Sequence, residues 1–263
     1  MGKAPVFGIM IASGVIATLA ANTSVGARSI GIGGQPGQVS DPTLTQVPAR
    51  ALSIGQAKAI LAQMVRDKTI THVEDSPVGP AGTRVTLPST LYGVSFQYLD
   101  HPLEIHDVDA RFAVLLVRIA QFLAIHYGVM VVRHLGIYPG NPDHPNDVHN
   151  MGRAIDLAGF VGSSIGDIDV ARDWGEMPAP WSPDATVTGY RLSPQDPGFL
   201  FFAALYDFLT KEAADRTSDY VANEGPSTVI GEHSYIVTPD HPTPALRAAH
   251  WNHVHAQIGP TRV

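Results

Sequence analysis

Cysteine is absent from this chain, so disulfides and thiolate-bound metals are excluded, and any metal must be held by histidine, aspartate or glutamate. Runs of basic residues are missing as well. With 17 lysines and arginines against 24 acidic residues the net charge is −7, which argues against a nucleic-acid partner. The N-terminal apolar stretch, Val6 to Ala21, is broken by Gly8, Ser13 and Gly14 and has a single lysine, Lys3, beside it. It falls short of the roughly 20 apolar residues that cross a bilayer. Internal repeats, heptads and blocks of like charge are lacking too. What the chain has in quantity is apolar surface: 44% of its 263 residues are hydrophobic, enough for a sizeable core.

A charged start, an apolar centre and small residues up to Ala27 make residues 1–27 read as a secretory signal or, if kept, as a hydrophobic anchor that docks to a membrane or an assembly. Residues 28–50, rich in Gly, Pro, Ser, Thr and Gln, read as a linker, which leaves 51–263 as the folded domain. Ser53 is placed to cap a helix over Ile54 to Arg66. The stretch from His72 to Pro88 reads as a loop, and Thr90 to Tyr98 as a strand. Val108 to Tyr127 carries the strongest helical stripe, with Phe112, Leu115, Leu116, Ile119 and Leu123 on one face, Asp107 or Asp109 at its start and Gly128 at its end. A buried strand, Val129 to Val132, then leads to Arg133. The Pro-rich stretch from Trp174 to Pro197 is long enough to wall a cleft, and Phe199 to Asp215 reads as a second helix. The expected fold class is α+β, a small antiparallel sheet carrying polar ligands with helices packed against it.

Two stretches carry the chemistry. His149-Asn-Met-Gly-Arg-Ala-Ile-Asp156 offers an imidazole, a turn permitted by Gly152 and a carboxylate on a short strand from Arg153 to Phe160. Asn252-His253-Val254-His255 is also strand-like, and period-two geometry turns both of its imidazoles to one side. One carboxylate and two imidazoles can then converge on a metal from adjacent strands, and together the stretches read as one divided zinc site. Asp147, two places before His149, is either a loop cap or a partner for the outer nitrogen of a ligand imidazole.

These residues resemble the signature of the zinc peptidases that cut peptidoglycan stem peptides, typified by lysostaphin, D-Ala-D-Ala peptidases and murein endopeptidases. Four stretches in order resemble the extensin-like C-terminal family of bacterial proteins more closely: Arg133-His134-Leu135-Gly136-Ile137-Tyr138; His149-x-x-Gly152-Arg153-Ala154-Ile155-Asp156-Leu157-Ala158-Gly159-Phe160; Arg172-Asp173-Trp174; and His250-x-x-His253-x-His255. The resemblance runs over roughly residues 85–260. It implies a zinc-peptidase domain in which His149, Asp156 and His255 hold Zn2+ and leave a fourth position open, the mark of a catalytic site. It further implies that His253 takes a proton or steadies the intermediate, and that Arg133 stabilises the oxyanion or holds a terminal carboxylate. Relatives often have a glutamate just ahead of the last ligand. Here that place reads Ala249-His250-Trp251-Asn252, leaving Glu224 and Glu232 as remote candidates for the base. The implied activity is hydrolysis of peptidoglycan peptides outside the cytoplasm. The alternative is a metal-binding fold without turnover, used as a binding or structural part of a cell-envelope or injection/tail assembly.

Overall fold

The structure, a computed structural model, describes residues 47–140, 147–178, 188–190, 198–213, 236–240 and 248–259. The expected signal or anchor, nearly all of the linker, and Glu224 and Glu232 lie outside the described residues. In chain order the elements are α1 (Ile54–Arg66), β1 (Glu74–Asp75), β2 (Arg84–Leu87), β3 (Thr90–Leu91), β4 (Val94–Tyr98), β5 (His101–Pro102), β6 (Ile105–Asp109), α2 (Ala110–Tyr127), β7 (Val129–His134) and β8 (Ala154–Gly162). They continue with β9 (Gly166–Asp169), α3 (Val170–Asp173), β10 (Glu176–Pro178), β11 (Thr188–Tyr190), α4 (Phe199–Glu212), β12 (Ile236–Val237) and β13 (Val254–Gln257).

The class is mixed α and β, as expected, but the main sheet is neither small nor wholly antiparallel. Eight strands join in the order β12-β13-β8-β7-β4-β3, with β5 on β4 and β9 on β8. β4 and β7 run parallel, Ser95 opposite Val131 and Tyr98 opposite His134. The physical reason is the connection between them: α2 provides the long crossover that a parallel pair needs and a hairpin cannot give. The supposed loop from His72 to Pro88 contains β1 and β2, and β2 pairs with β6 in a separate three-stranded sheet. The single strand expected over Thr90 to Tyr98 is a tight hairpin, because Tyr92 and Gly93 both adopt positive φ, 50° and 77°.

Each helix starts for a local reason. Ser53 and Gln56 form a reciprocal capping box on α1. Asp109 accepts from the Arg111 amide at 2.8 Å, so α2 begins at Ala110 rather than Val108, whose backbone still belongs to β6. Long and apolar enough by composition to cross a membrane, α2 is instead the centre of the core, with Phe112, Leu115, Leu116, Ile119 and Leu123 fully buried. Gly128 ends it in the left-handed conformation. Trp174 is buried and packs on Phe202 of α4 at 4.9 Å between ring centroids. Arg118 on α2 ties the start of the described chain to α4: it donates to the Val47 carbonyl at 2.8 Å and to Glu212 at 2.7 Å, and Glu212 also accepts from the Ala49 amide.

Candidate metal centre

Asp156 lies near the start of β8 and His255 on β13, and the antiparallel register sets them directly opposite each other. Cross-strand partners on one face have Cβ atoms about 5 Å apart, so the pairing itself brings the imidazole to the carboxylate. Nδ1 of His255 is 2.9 Å from Asp156 Oδ1. His149 reaches the other oxygen, its Nε2 3.3 Å from Asp156 Oδ2. The turn that delivers it depends on Gly152, whose φ of 67° and close approach to the β6 backbone suit only glycine. One ligand atom from each of His149, Asp156 and His255 lies within 4.8 Å of the others, and this buried group could hold a metal ion.

The outer nitrogens of both imidazoles face oxygen acceptors. His149 Nδ1 donates to the Ile137 carbonyl at 3.1 Å, and His255 Nε2 donates to Gln257 Oε1 at 2.8 Å. Those partners orient the two rings, so that His149 Nε2 and His255 Nδ1 point at the carboxylate and are the nitrogens a metal would use. Of the two roles open to Asp147, the structure gives the loop cap: its Oδ1 accepts from the His149 amide at 2.9 Å, while a main-chain carbonyl takes the imidazole. Burial raises the Asp156 pKa, but the hydrogen bonds from His149 and His255 outweigh it and hold the carboxyl well below its ordinary range. Asp156 is therefore ionised at neutral pH.

His253 also faces Asp156, with Nε2 3.4 Å from Oδ1 and Nδ1 2.8 Å from Asn252 Oδ1. Burial pushes its pKa down to about 4, leaving the ring neutral at pH 7. His250 packs beside it, ring centroids 4.8 Å apart, and 5.4 Å from His255. Arg133, by contrast, is engaged elsewhere. Its guanidinium lies over Gly159, donates to both oxygens of Asp167 and sits 3.9 Å from Asp169. The carboxylates that raise its pKa, the Asp167 hydrogen bond foremost, are Asp167, Asp169 and Asp100, not Asp156.

Gln257 continues the alternation of His253 and His255, but its uncharged side chain carries no mark of metal chemistry in the sequence. His134, named in the first motif but given no role there, ends β7. Buried at 6% exposure, its ring is pushed to about pKa 4 by burial, against the opposing pull of Asp156, and its Nδ1 has no hydrogen-bond partner. No family model, curated protein or solved structure matches this chain. The reading of the site thus rests on its residues and their geometry.

Proposed function

We propose that the chain is a zinc metallopeptidase that hydrolyses peptide bonds of bacterial peptidoglycan, in a stem peptide or a cross-link, outside the cytoplasm. The observation that carries the reading is the in-register pairing of Asp156 with His255, completed by His149, with one nitrogen of each imidazole turned to the carboxylate. Two nitrogens and one carboxylate oxygen are the donor set of a catalytic zinc site, and the absence of cysteine leaves such a set as the way for this chain to hold zinc. Zinc held there would supply Lewis acidity, acidifying a water and polarising a carbonyl. His149 and His255 are oriented by the Ile137 carbonyl and the Gln257 amide, and Asp156 supplies the negative charge that favours a cation.

His253 is the proton acceptor in this reading. It is neutral at pH 7, its Nδ1 donates to Asn252, and its Nε2 faces the site. The choice of peptidoglycan comes from the ordered motifs that resemble the extensin-like C-terminal family. A second reading, metal binding without turnover in a cell-envelope or injection/tail assembly, gains from the pairing of Arg133 with Asp167, which occupies the cation assigned to the oxyanion.

Elemental analysis of the purified chain after dialysis is the first test, with about one zinc per chain expected and its loss in His255→Ala. Digestion of purified peptidoglycan then separates the readings. Under the peptidase reading His253→Ala keeps its zinc and loses turnover by about 10²- to 10⁴-fold. A metal-free wild type sinks both readings, and zinc without hydrolysis leaves the second.

A further inference from the structure

A cavity of about 290 Å³ lies beside the metal centre and shares a wall with it. That wall is the end of β7 and the segment after it, His134 to Pro139. Three hydrogen bonds fuse it to the ligands: the Leu135 amide donates to the Asp156 carbonyl at 2.9 Å, the Asp156 amide to the Gly136 carbonyl at 3.1 Å, and the His149 ring to the Ile137 carbonyl. Gly136 lines the cavity and also faces the ligands. A Cβ there would stand 3.8 Å from both Asp156 Oδ2 and His149 Nδ1. Its φ is not positive, so glycine is not demanded by the backbone; what it contributes is the missing side chain between the cavity and the ligands.

The opposite wall comes from the segment joining β5 to β6. Leu103 and Ile105 give it apolar surface, Tyr98 adds a ring edge at the end of β4, and among the described residues the lining has one carboxylate, Glu104, two imidazoles, His106 and His134, and no lysine or arginine. Glu104 approaches two imidazoles, His72 at 3.9 Å and His106 at 3.7 Å. Both separations are beyond hydrogen-bond range, so its oxygens keep acceptor capacity toward a ligand. An apolar trough with a single anion at its rim complements an aliphatic chain ending in a cation. The volume suits one or two residues of a peptide rather than a large ligand.

We infer that this cavity is a substrate subsite for a residue bearing an aliphatic primary amine, such as a lysine or another diamino acid, with Glu104 as its anion and Gly136 as the opening toward the metal ligands. The inference rests on the peptidase reading for the direction of the peptide, but not for the amine preference itself. Glu104 is a specificity residue here and takes no part in bond cleavage. Because its carboxylate is half exposed, the ion pair is worth about a fivefold change in affinity rather than a thousandfold one.

The test is binding of two N-acetylated peptides to the zinc-supplemented full-length chain, measured by calorimetry, identical except that one carries lysine and the other Nε-acetyl-lysine. The free amine should bind about fivefold tighter, and Glu104→Gln should abolish that difference while leaving the acetylated peptide unchanged. Gly136→Leu, with zinc content verified, should weaken both. Equal affinity of the two peptides for the wild type, a preference that survives in Glu104→Gln, or no measurable binding of either overturns the subsite. Hydrolysis is followed separately on the same samples. A preference that depends on Glu104 with no cleavage leaves the subsite standing and removes the peptidase, whereas cleavage of both peptides with equal affinity does the reverse.

Discussion

Gln257 is fully buried between strands, and its amide oxygen accepts from His255 while its amide nitrogen has no partner. An unsatisfied buried donor costs roughly 1–3 kcal/mol, and such a cost persists where the group does something else. Here the amide orients His255 so that its Nδ1 faces the centre. Replacing it with leucine removes that orphan but takes the acceptor from the His255 Nε2–H, so the two costs offset and Gln257→Leu should fold about as stably as the wild type yet bind zinc about 10- to 100-fold more weakly in a chelator competition. Among the residues of the centre, His149, Asp156, His253 and His255 were readable because chemistry that needs lone pairs at fixed spacing leaves its mark in residue type. Ile137 was not. Its contribution is a carbonyl, which every residue has, and only the fold decides where it points.

At the scale of elements, legibility followed locality. The helices α1 and α2 come out within two residues of the sequence reading, because caps at Ser53 and Asp109 and apolar periodicity are short-range signals. β8 and β13 were also visible from alternation. What escaped was pairing: that β4 lies parallel to β7, that β2 is a strand at all, and that β9 folds back to give Arg133 its aspartates. Such partners are set by crossover geometry and not by their own residues. The turn at Gly152 links both kinds of information. A side chain there would combine a left-handed backbone with a Cβ 2.9 Å from Val108 Cα. Gly152→Ala should therefore cost more than the roughly 1 kcal/mol of the backbone term alone, seen as a fall in melting temperature, with zinc retention reduced because His149 is displaced.

For the molecule as a whole, the buried imidazole of His134 ties stability to pH. Burial lowers its folded-state pKa to about 4, below that of the unfolded chain, so the unfolded state binds the proton first on acidification. Its contribution is complete above the unfolded value near 6.5 and is lost as pH falls toward the folded value, by roughly 2 kcal/mol between pH 7 and 5. Urea unfolding at those two pH values should show that loss in the wild type, and His134→Leu should lose less over the same interval. An equal loss in both proteins would assign the acid sensitivity to other groups.

The partnership of Asp156 and His255 spans 99 residues of chain. In a protein with no cysteine, a metal gripped by those two side chains would be the cross-link that disulfides provide elsewhere. Tying a loop of that length is worth on the order of 4–5 kcal/mol in the chain-entropy account of disulfides. A chelator would then play the part of a reducing agent, loosening β13 from β8 as reduction loosens a bridged strand. The environment would govern this staple through its free metal concentration rather than its redox potential.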